Sequence, residues 1–259
     1  MHERTTALPE NSPQLPPRSA IDAWGASKPQ LLAGGQGGAV RAGDLVFKAT
    51  VDAERGRWLG ESLAGLDHSE PVRIAEPVPT LDGQFVVDSW CAWRWLDGAH
   101  QRDVWNEVLE TSSHLHRALA QLSWSPRAEG SDPWSVADRA AWGEAPLTVP
   151  AALDALVAKL VPVDRPRQVI HADLANNVVF HPDLPPGVID ISPFFRPAAY
   201  ADAIVVADAI AWSGAPDELA ERLLRRHGPQ LLARAILFRV AVNADELASY
   251  QHVADSITG

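Results

Sequence analysis

The side chains best suited to chemistry are concentrated in residues 171–190, HADLANNVVFHPDLPPGVID, which place Asp173 and Asp190 around the amides Asn176 and Asn177. Carboxylate and amide oxygens are hard donors, a set that suits Mg²⁺ carrying phosphates and does not suit zinc. Whether they converge depends on the elements that carry them. Residues 168–170, 178–180 and 187–189 are short apolar runs of strand composition, with 181–186 between the last two as a turn. Pro185 and Pro186 cannot donate ladder hydrogen bonds and belong in that connection. A chain folded back about Asp183 and Leu184 in a symmetric register sets Asn177 opposite Asp190, with Asp173 in the loop just before the first hairpin strand. Asn176 and Asn177 are adjacent, so on an extended backbone they point to opposite faces, and the register favours Asn177 as the one that reaches an ion. The plainer roles are a turn or helix cap for Asp173 and a buried hydrogen-bonding role for His171.

His171, Ala172, Asp173 and Asn177, followed by Asp190 after Val188 and Ile189, resemble the catalytic loop and metal-binding acid of the aminoglycoside phosphotransferases and their protein-kinase-like relatives. In that family the loop reads HGD, an asparagine follows a few residues on, and the second acid ends a strand. The resemblance implies an α+β, two-lobed protein-kinase-like fold: a small antiparallel-sheet N-lobe with one helix and a mainly helical C-lobe. It also implies a phosphotransferase using ATP or GTP. Asp173 would orient or deprotonate an acceptor hydroxyl, and Asn177 and Asp190 would hold Mg²⁺ on the phosphates. This sequence departs from the family in two places. The step from Asp173 to Asn177 is one residue short, which leaves Asn176 or Asn177 as the ligand. Ile191 and Ser192 stand where many members carry an aromatic residue and a further acid, which leaves one or two metal ions. These departures also permit the alternative of a catalytically degenerate kinase-like protein that binds nucleotide or ligand without transfer.

The N-terminal third supplies an independent set of residues. Gly34, Gly35, Gln36, Gly37 and Gly38 form a glycine-rich bend between two strand-like stretches, and glycine lets backbone amides approach phosphate oxygens with no Cβ in the way. The same cluster also builds an ordinary hairpin turn. Lys48 ends the next strand, in a chain whose only lysines are Lys28, Lys48 and Lys159, and a compact ammonium at that point fits phosphate contact. The P-loop pattern GxxxxGK[ST] is absent. Asp52 caps an expected helix reaching about Leu66, on which Glu54 and Glu61 share a face. The kinase-like fold uses one such glutamate to hold the strand lysine, and Glu54 matches the early position better, with Glu61 the alternative. Residues 73–78 and 84–95 read as two further strands around a turn at residues 81–83. By resemblance their exit, with Ala92, Trp93 and Arg94, is the hinge that binds adenine. Core packing is the other role open to Trp93 and Trp95 in a chain with ten tryptophans.

Beyond the hinge, helical periodicity covers residues 101–122, 150–161, 200–212, 217–227 and 230 to about 250, with the hairpin inserted among them and 123–133 left as a loop. His114 and His116 lie two apart and face different ways on a helix, a poor metal pair. By resemblance, Asp202 braces the catalytic loop through backbone hydrogen bonds. The expected organisation is a flexible tail over 1–17, a nucleotide-binding lobe over 18–96 and a helical lobe over 97–259, the two lobes being roughly 80 and 160 residues long. A single cysteine, Cys91, excludes an intramolecular disulfide. No apolar stretch reaches the length of a membrane span, and the polar, proline-rich start lacks a signal-peptide core, so no membrane partner and a cytoplasmic location are expected. The net charge of −11 argues against nucleic acid and suits a cationic small-molecule acceptor such as an aminosugar through long-range attraction.

Overall fold

The computed structural model describes residues 15–32, 38–67 and 69–258. The chain divides into two compact units. The first comprises residues 1–64 and 76–95, and the second residues 65–75 and 96–259. Residues 65–75 cluster with the helical unit because a short strand within them pairs there.

The elements in chain order begin with α1 (Arg18–Ala23), β1 (Gln30–Leu31), β2 (Ala39–Ala42), β3 (Leu45–Ala49), α2 (Ala53–Ala64), β4 (Arg73–Ile74), β5 (Pro77–Val78) and β6 (Trp90–Arg94). Within the first unit the sheet runs β1-β2-β3-β6-β5, and every pairing is antiparallel. Gly43, with φ of +63°, lies in the two-residue turn between β2 and β3, a conformation that favours glycine. The inner face of the sheet packs Val40, Ala42, Phe47, Trp90 and Ala92 against Ala20, Ile21 and Trp24 of α1 and its end. Trp24 meets Phe47 edge to face at 5.5 Å, and its indole N–H donates to the Val78 carbonyl at 2.7 Å. As the sequence suggests, Asp52 caps α2, its Oδ1 accepting the amides of Glu54 and Arg55 at 3.0 Å each. The expected strand over 84–95 is shorter. Asp88 and Ser89 are both left-handed, with φ of 49° and 61°, and form a tight turn in which Val87 and Trp90 exchange backbone hydrogen bonds. Residues 73–78 likewise split, with β5 pairing β6 in the first unit and β4 joining a sheet in the second.

The second unit continues with α3 (Trp105–Leu119), α4 (Pro133–Ala141), α5 (Asp154–Ala158), β7 (Gln168–His171), β8 (Val178–His181), β9 (Leu184–Val188), β10 (Pro193–Arg196), α6 (Ala198–Ser213), α7 (Glu218–His227), α8 (Pro229–Val242) and α9 (Leu247–Thr258). Its core is built on α6 and α8, in which residues 203–209 and 231–240 are all buried. Helices this apolar on every side must sit inside, and α3, α4, α7 and α9 cover them. The helix expected over 230–250 breaks at Asn243, which turns to an extended backbone and accepts the Asp245 amide on its side chain, giving α8 and α9. The helix expected over 150–161 keeps one short α-helical stretch, α5, after a 3-10 turn. Two small sheets carry the hairpin segment: β10 with β7, and β4-β9-β8, in which β4 runs parallel to β9.

The hairpin differs from its expected form in two ways. Its turn is shorter, because β9 begins at Leu184 and includes Pro185 and Pro186. β4 reaches only Gly187 and Val188, so the missing proline N–H groups cost that pairing nothing. The register is also shifted by one residue: Val178 faces Val188, and the Ile189 amide donates to the Asn177 carbonyl at 3.0 Å. Asn177 therefore faces Ile189, and Asp190 is the next residue.

Candidate functional site

In the second unit, β7 delivers the loop and β8 receives it. Ala172 donates its amide to the Ser192 carbonyl at 2.9 Å, and the Asn177 amide donates to the Leu174 carbonyl at 3.0 Å, closing a tight loop over buried Leu174. Asn177 draws the loop together further. Its Nδ2 donates to the Asp173 carbonyl at 2.5 Å and lies 3.4 Å from Asp173 Oδ2. Asn176 is exposed, while Asn177 is half-buried against Asp173. Of the two amides, the structure thus ties Asn177 to the loop acid, and the Asn177 Oδ1 is its remaining acceptor. Asp190 follows the end of β9 with φ of 56°, a left-handed backbone that is uncommon outside glycine and that turns the chain sharply from β9 toward β10.

Two buried histidines hold this loop as neutral rings. His171 Nδ1 accepts the Ser192 amide at 3.1 Å and the Asp173 amide at 3.4 Å. Burial pushes the imidazole down to about 4 against the opposing charges of Asp173 and Asp190. His116 on α3 accepts the His171 amide on Nε2 at 3.1 Å, while its Nδ1 lies 2.7 Å from the Ser112 carbonyl. That pattern fixes the Nδ1–H tautomer, and burial, with His171 adding to it, brings His116 down to about 3. His114, by contrast, pairs with Glu70, so the two histidines make no common metal site.

The loop acid has a partner that sequence reading missed. Arg239, from the middle of α8, donates from Nη2 to Asp173 Oδ1 at 2.8 Å. The same guanidinium grips Asp208 of α6, with Nε to Oδ1 at 3.0 Å and a second contact from Nη2 to Oδ2, and Tyr250 of α9 donates to Asp208 Oδ1 at 2.8 Å. Burial works against the charge on Arg239, but Asp208 outweighs it and holds the guanidinium more firmly protonated. Asp202, expected to brace the loop, instead accepts the Ser112 hydroxyl at 2.6 Å. The signal for Arg239 and Asp208 was present: each is a charged residue type inside a mostly apolar helix run, where a buried charge is tolerated only when paired.

In the first unit, Lys48 is half-buried in β3, with Ala39 of β2 and Cys91 of β6 as its cross-strand neighbours. Gly38 immediately precedes Ala39, and a Cβ built on it meets nothing within 4 Å among the described residues. Gly34, Gly35, Gln36 and Gly37 lie outside the described residues. Glu54 is exposed, and its carboxylate takes the Arg57 guanidinium one helical turn away. Ala92 and Trp93 lie within β6, not in a chain exit. Both are flanked by β3 and β5, and the Arg94 amide donates to the Glu76 carbonyl at 2.7 Å. In a strand with partners on both sides the backbone groups of Ala92 and Trp93 point at those partners, so the hinge reading of these residues meets a ladder already in place.

For the metal, the donors on Asn177 and Asp190 are an amide oxygen and a carboxylate, chemically fitted to a hard cation. Among the described residues no group of three or more His, Cys, Asp or Glu is placed to hold a metal ion. A cation there would therefore take the rest of its coordination from phosphate and water, the usual habit of Mg²⁺.

No protein-family model matches the sequence, and no curated protein matches it significantly. Solved structures do match. Aminoglycoside phosphotransferase APH(4)-Ia superposes with a TM-score of 0.57 at 20% identity, covering 93% of this chain and 96% of that one. A microcompartment-associated aminopropanol kinase gives 0.61 at 18% identity over 93% and 94% of the two chains. An amicoumacin kinase in complex with AMP-PNP and Ca²⁺ gives 0.59 at 12% identity over 93% and 91%. The expected fold class is thus observed: an α+β chain with an antiparallel N-terminal sheet and a helical remainder, sharing the fold of these phosphotransferases.

Proposed function

We propose that this chain transfers the γ-phosphate of ATP, or of GTP, to a hydroxyl of a small molecule. The observation that carries the reading is the second-unit loop, in which an aspartate is clasped by the asparagine four residues on and that asparagine lies across the hairpin from the residue before a second aspartate. Asp173, half-exposed with its side chain 47% accessible, orients the acceptor hydroxyl and accepts its proton. Asn177 and Asp190 hold the metal. Mg²⁺ held by these two groups would supply positive charge to offset the charge of the phosphates. In the first unit, Lys48 and the glycine-rich stretch from Gly34 to Gly38 contact the phosphates, with Glu54 or Glu61 steadying Lys48. Nothing among the described residues lies within 4 Å of the Gly38 Cβ position, which is compatible with close approach of a ligand there.

The acceptor is a polyhydroxylated or amine-bearing metabolite or antibiotic. Proteins of this fold have been crystallised with hygromycin B and with spectinomycin, and a net charge of −11 favours cationic acceptors. The test is Mg²⁺-dependent ADP release across a panel of aminoglycosides, other hydroxylated antibiotics, amino alcohols and polyols. Turnover with one acceptor class, lost in Asp173→Ala with nucleotide affinity retained, is the expected result. Nucleotide binding without turnover on any acceptor would establish the degenerate binding protein instead.

A further inference from the structure

We propose that Arg239 is a positioning residue that fixes which oxygen of Asp173 meets the acceptor, acting from a buried anchor formed by Asp208 and Tyr250. The inference rests on the reading of Asp173 as the group that receives the hydroxyl.

Asp173 projects from a loop and is half-exposed, so nothing in its own backbone restricts it to one rotamer. Arg239 is its opposite. The Arg239 side chain is 4% exposed and that of Asp208 2%, and Tyr250 is fully buried. The guanidinium is planar, and Asp208 fixes that plane through Nε and Nη2 together, with Tyr250 fixing Asp208 in turn. Rings close the remaining sides: the guanidinium carbon lies 5.5 Å from Trp134, 5.1 Å from Phe238 and 5.6 Å from Trp212. Three helices, α6, α8 and α9, thus hold one N–H in place, and it is aimed at Asp173 Oδ1. Oδ1 is then occupied, while among the described residues Oδ2 has only the 3.4 Å contact from Asn177. Oδ2 is the oxygen left for the acceptor. Asp208 alone already supplies the counter-charge that a buried arginine needs. The additional bond to a half-exposed carboxylate serves the site, because a displacement of about 1 Å in a reacting group costs about 100-fold in rate.

Removing Arg239 by itself strands Asp208 as an unpaired buried charge and threatens folding. The informative variant is therefore Arg239→Met with Asp208→Leu, which removes the buried pair together, compared with Arg239→Lys and with wild type. The expected result is a cooperatively melting double variant whose affinity for Mg-AMP-PNP stays within about threefold, whose KM for ATP is equally little changed, and whose kcat falls about 100-fold. Arg239→Lys recovers part of that loss, since lysine keeps one donor without the planar fork. A folded double variant with kcat within threefold of wild type overturns the proposal, as does a fall in which ATP affinity, folded fraction and kcat drop together. A second readout needs no turnover: three-bond couplings reporting χ1 of selectively labelled Asp173, read by NMR. One rotamer in wild type and averaging in the double variant supports the proposal, and one rotamer in both overturns it. If wild type turns over no acceptor, the phosphotransferase reading falls by itself, and the couplings still decide what Arg239 does.

Discussion

Asn176 and Asn177 are chemically identical neighbours, yet the loop treats them differently, and substitution separates them. Asn176 is exposed, so Asn176→Ala is expected to change stability by no more than about 0.5 kcal/mol and to leave turnover intact. Asn177 gives its amide to the Asp173 carbonyl, so Asn177→Ala removes the clasp on the loop acid as well as the proposed metal donor. The expected outcome is a stability loss of about 1–2 kcal/mol in urea melts, with a far larger loss of Mg²⁺-dependent turnover. Equal effects of the two substitutions would overturn the assignment. The sequence alone left the two amides open, since alternation along a strand says they diverge without saying which one turns inward. Glu54 shows the reverse case. Its position suits a partner for Lys48, and in the helix its carboxylate also pairs with Arg57 three residues on, a local contact the sequence reading did not weigh.

At the scale of elements, β7 and α3 meet through His116 and His171, and their neutrality makes this junction acid-sensitive. In an unfolded chain each imidazole titrates near 6.5, whereas burial brings them to about 3 and about 4 in the folded state. The unfolded chain therefore binds more protons below 6.5. Stability falls as pH is lowered through that window, by about 1.4 kcal/mol per pH unit for each ring, until the folded rings also protonate. The expected outcome is a melting temperature that declines steadily from pH 6.5 to pH 4, with the slope roughly halved in His116→Gln if that variant folds. An unchanged slope in His116→Gln would sink the assignment. This junction was not visible in the sequence, because a histidine two residues from another on a helix carries no mark of which one faces a loop fifty residues later. The elements themselves were more readable: Asp52 marked the start of α2, and the apolar run of α6 was found within two residues. The errors came from choices between equally local options. A left-handed Asp88–Ser89 turn cut an apparent strand, β9 absorbed two prolines beyond the reach of β4, and one residue of register moved Asn177 from Asp190 to Ile189.

Over the whole molecule, the fold could be read because a glycine stretch, a strand lysine, a capped helix and the acidic hairpin occur in one order along the chain. What could not be read was the allegiance of residues 65–75, which depends on a two-residue parallel pairing with β9 and on Glu70. The partners, β9 and the α3 residues that bind Glu70, lie far from it in sequence. Arg117 and His114 on α3 bind Glu70, and their hydrogen bonds lower its carboxyl to about 2, tying the excursion to the helical unit. The proposed function draws on both units, nucleotide contacts from the first and metal ligands from the second, and linkage tests that division. A ligand that binds only the folded state stabilises it by RT ln(1 + [L]/Kd), about 2.7 kcal/mol at a hundredfold excess over Kd, which for a chain of this size raises Tm by roughly 5–10 °C. In wild type, ATP is expected to give a small shift alone and a larger one with Mg²⁺. Asp190→Asn is expected to keep the metal-free shift and lose the increment due to Mg²⁺, because it touches only the second unit's share. Lys48→Ala is expected to reduce both, since phosphate contact is needed with or without the metal. If all three proteins shift equally, neither Lys48 nor Asp190 contacts the nucleotide complex, and the division of labour between the two units is wrong.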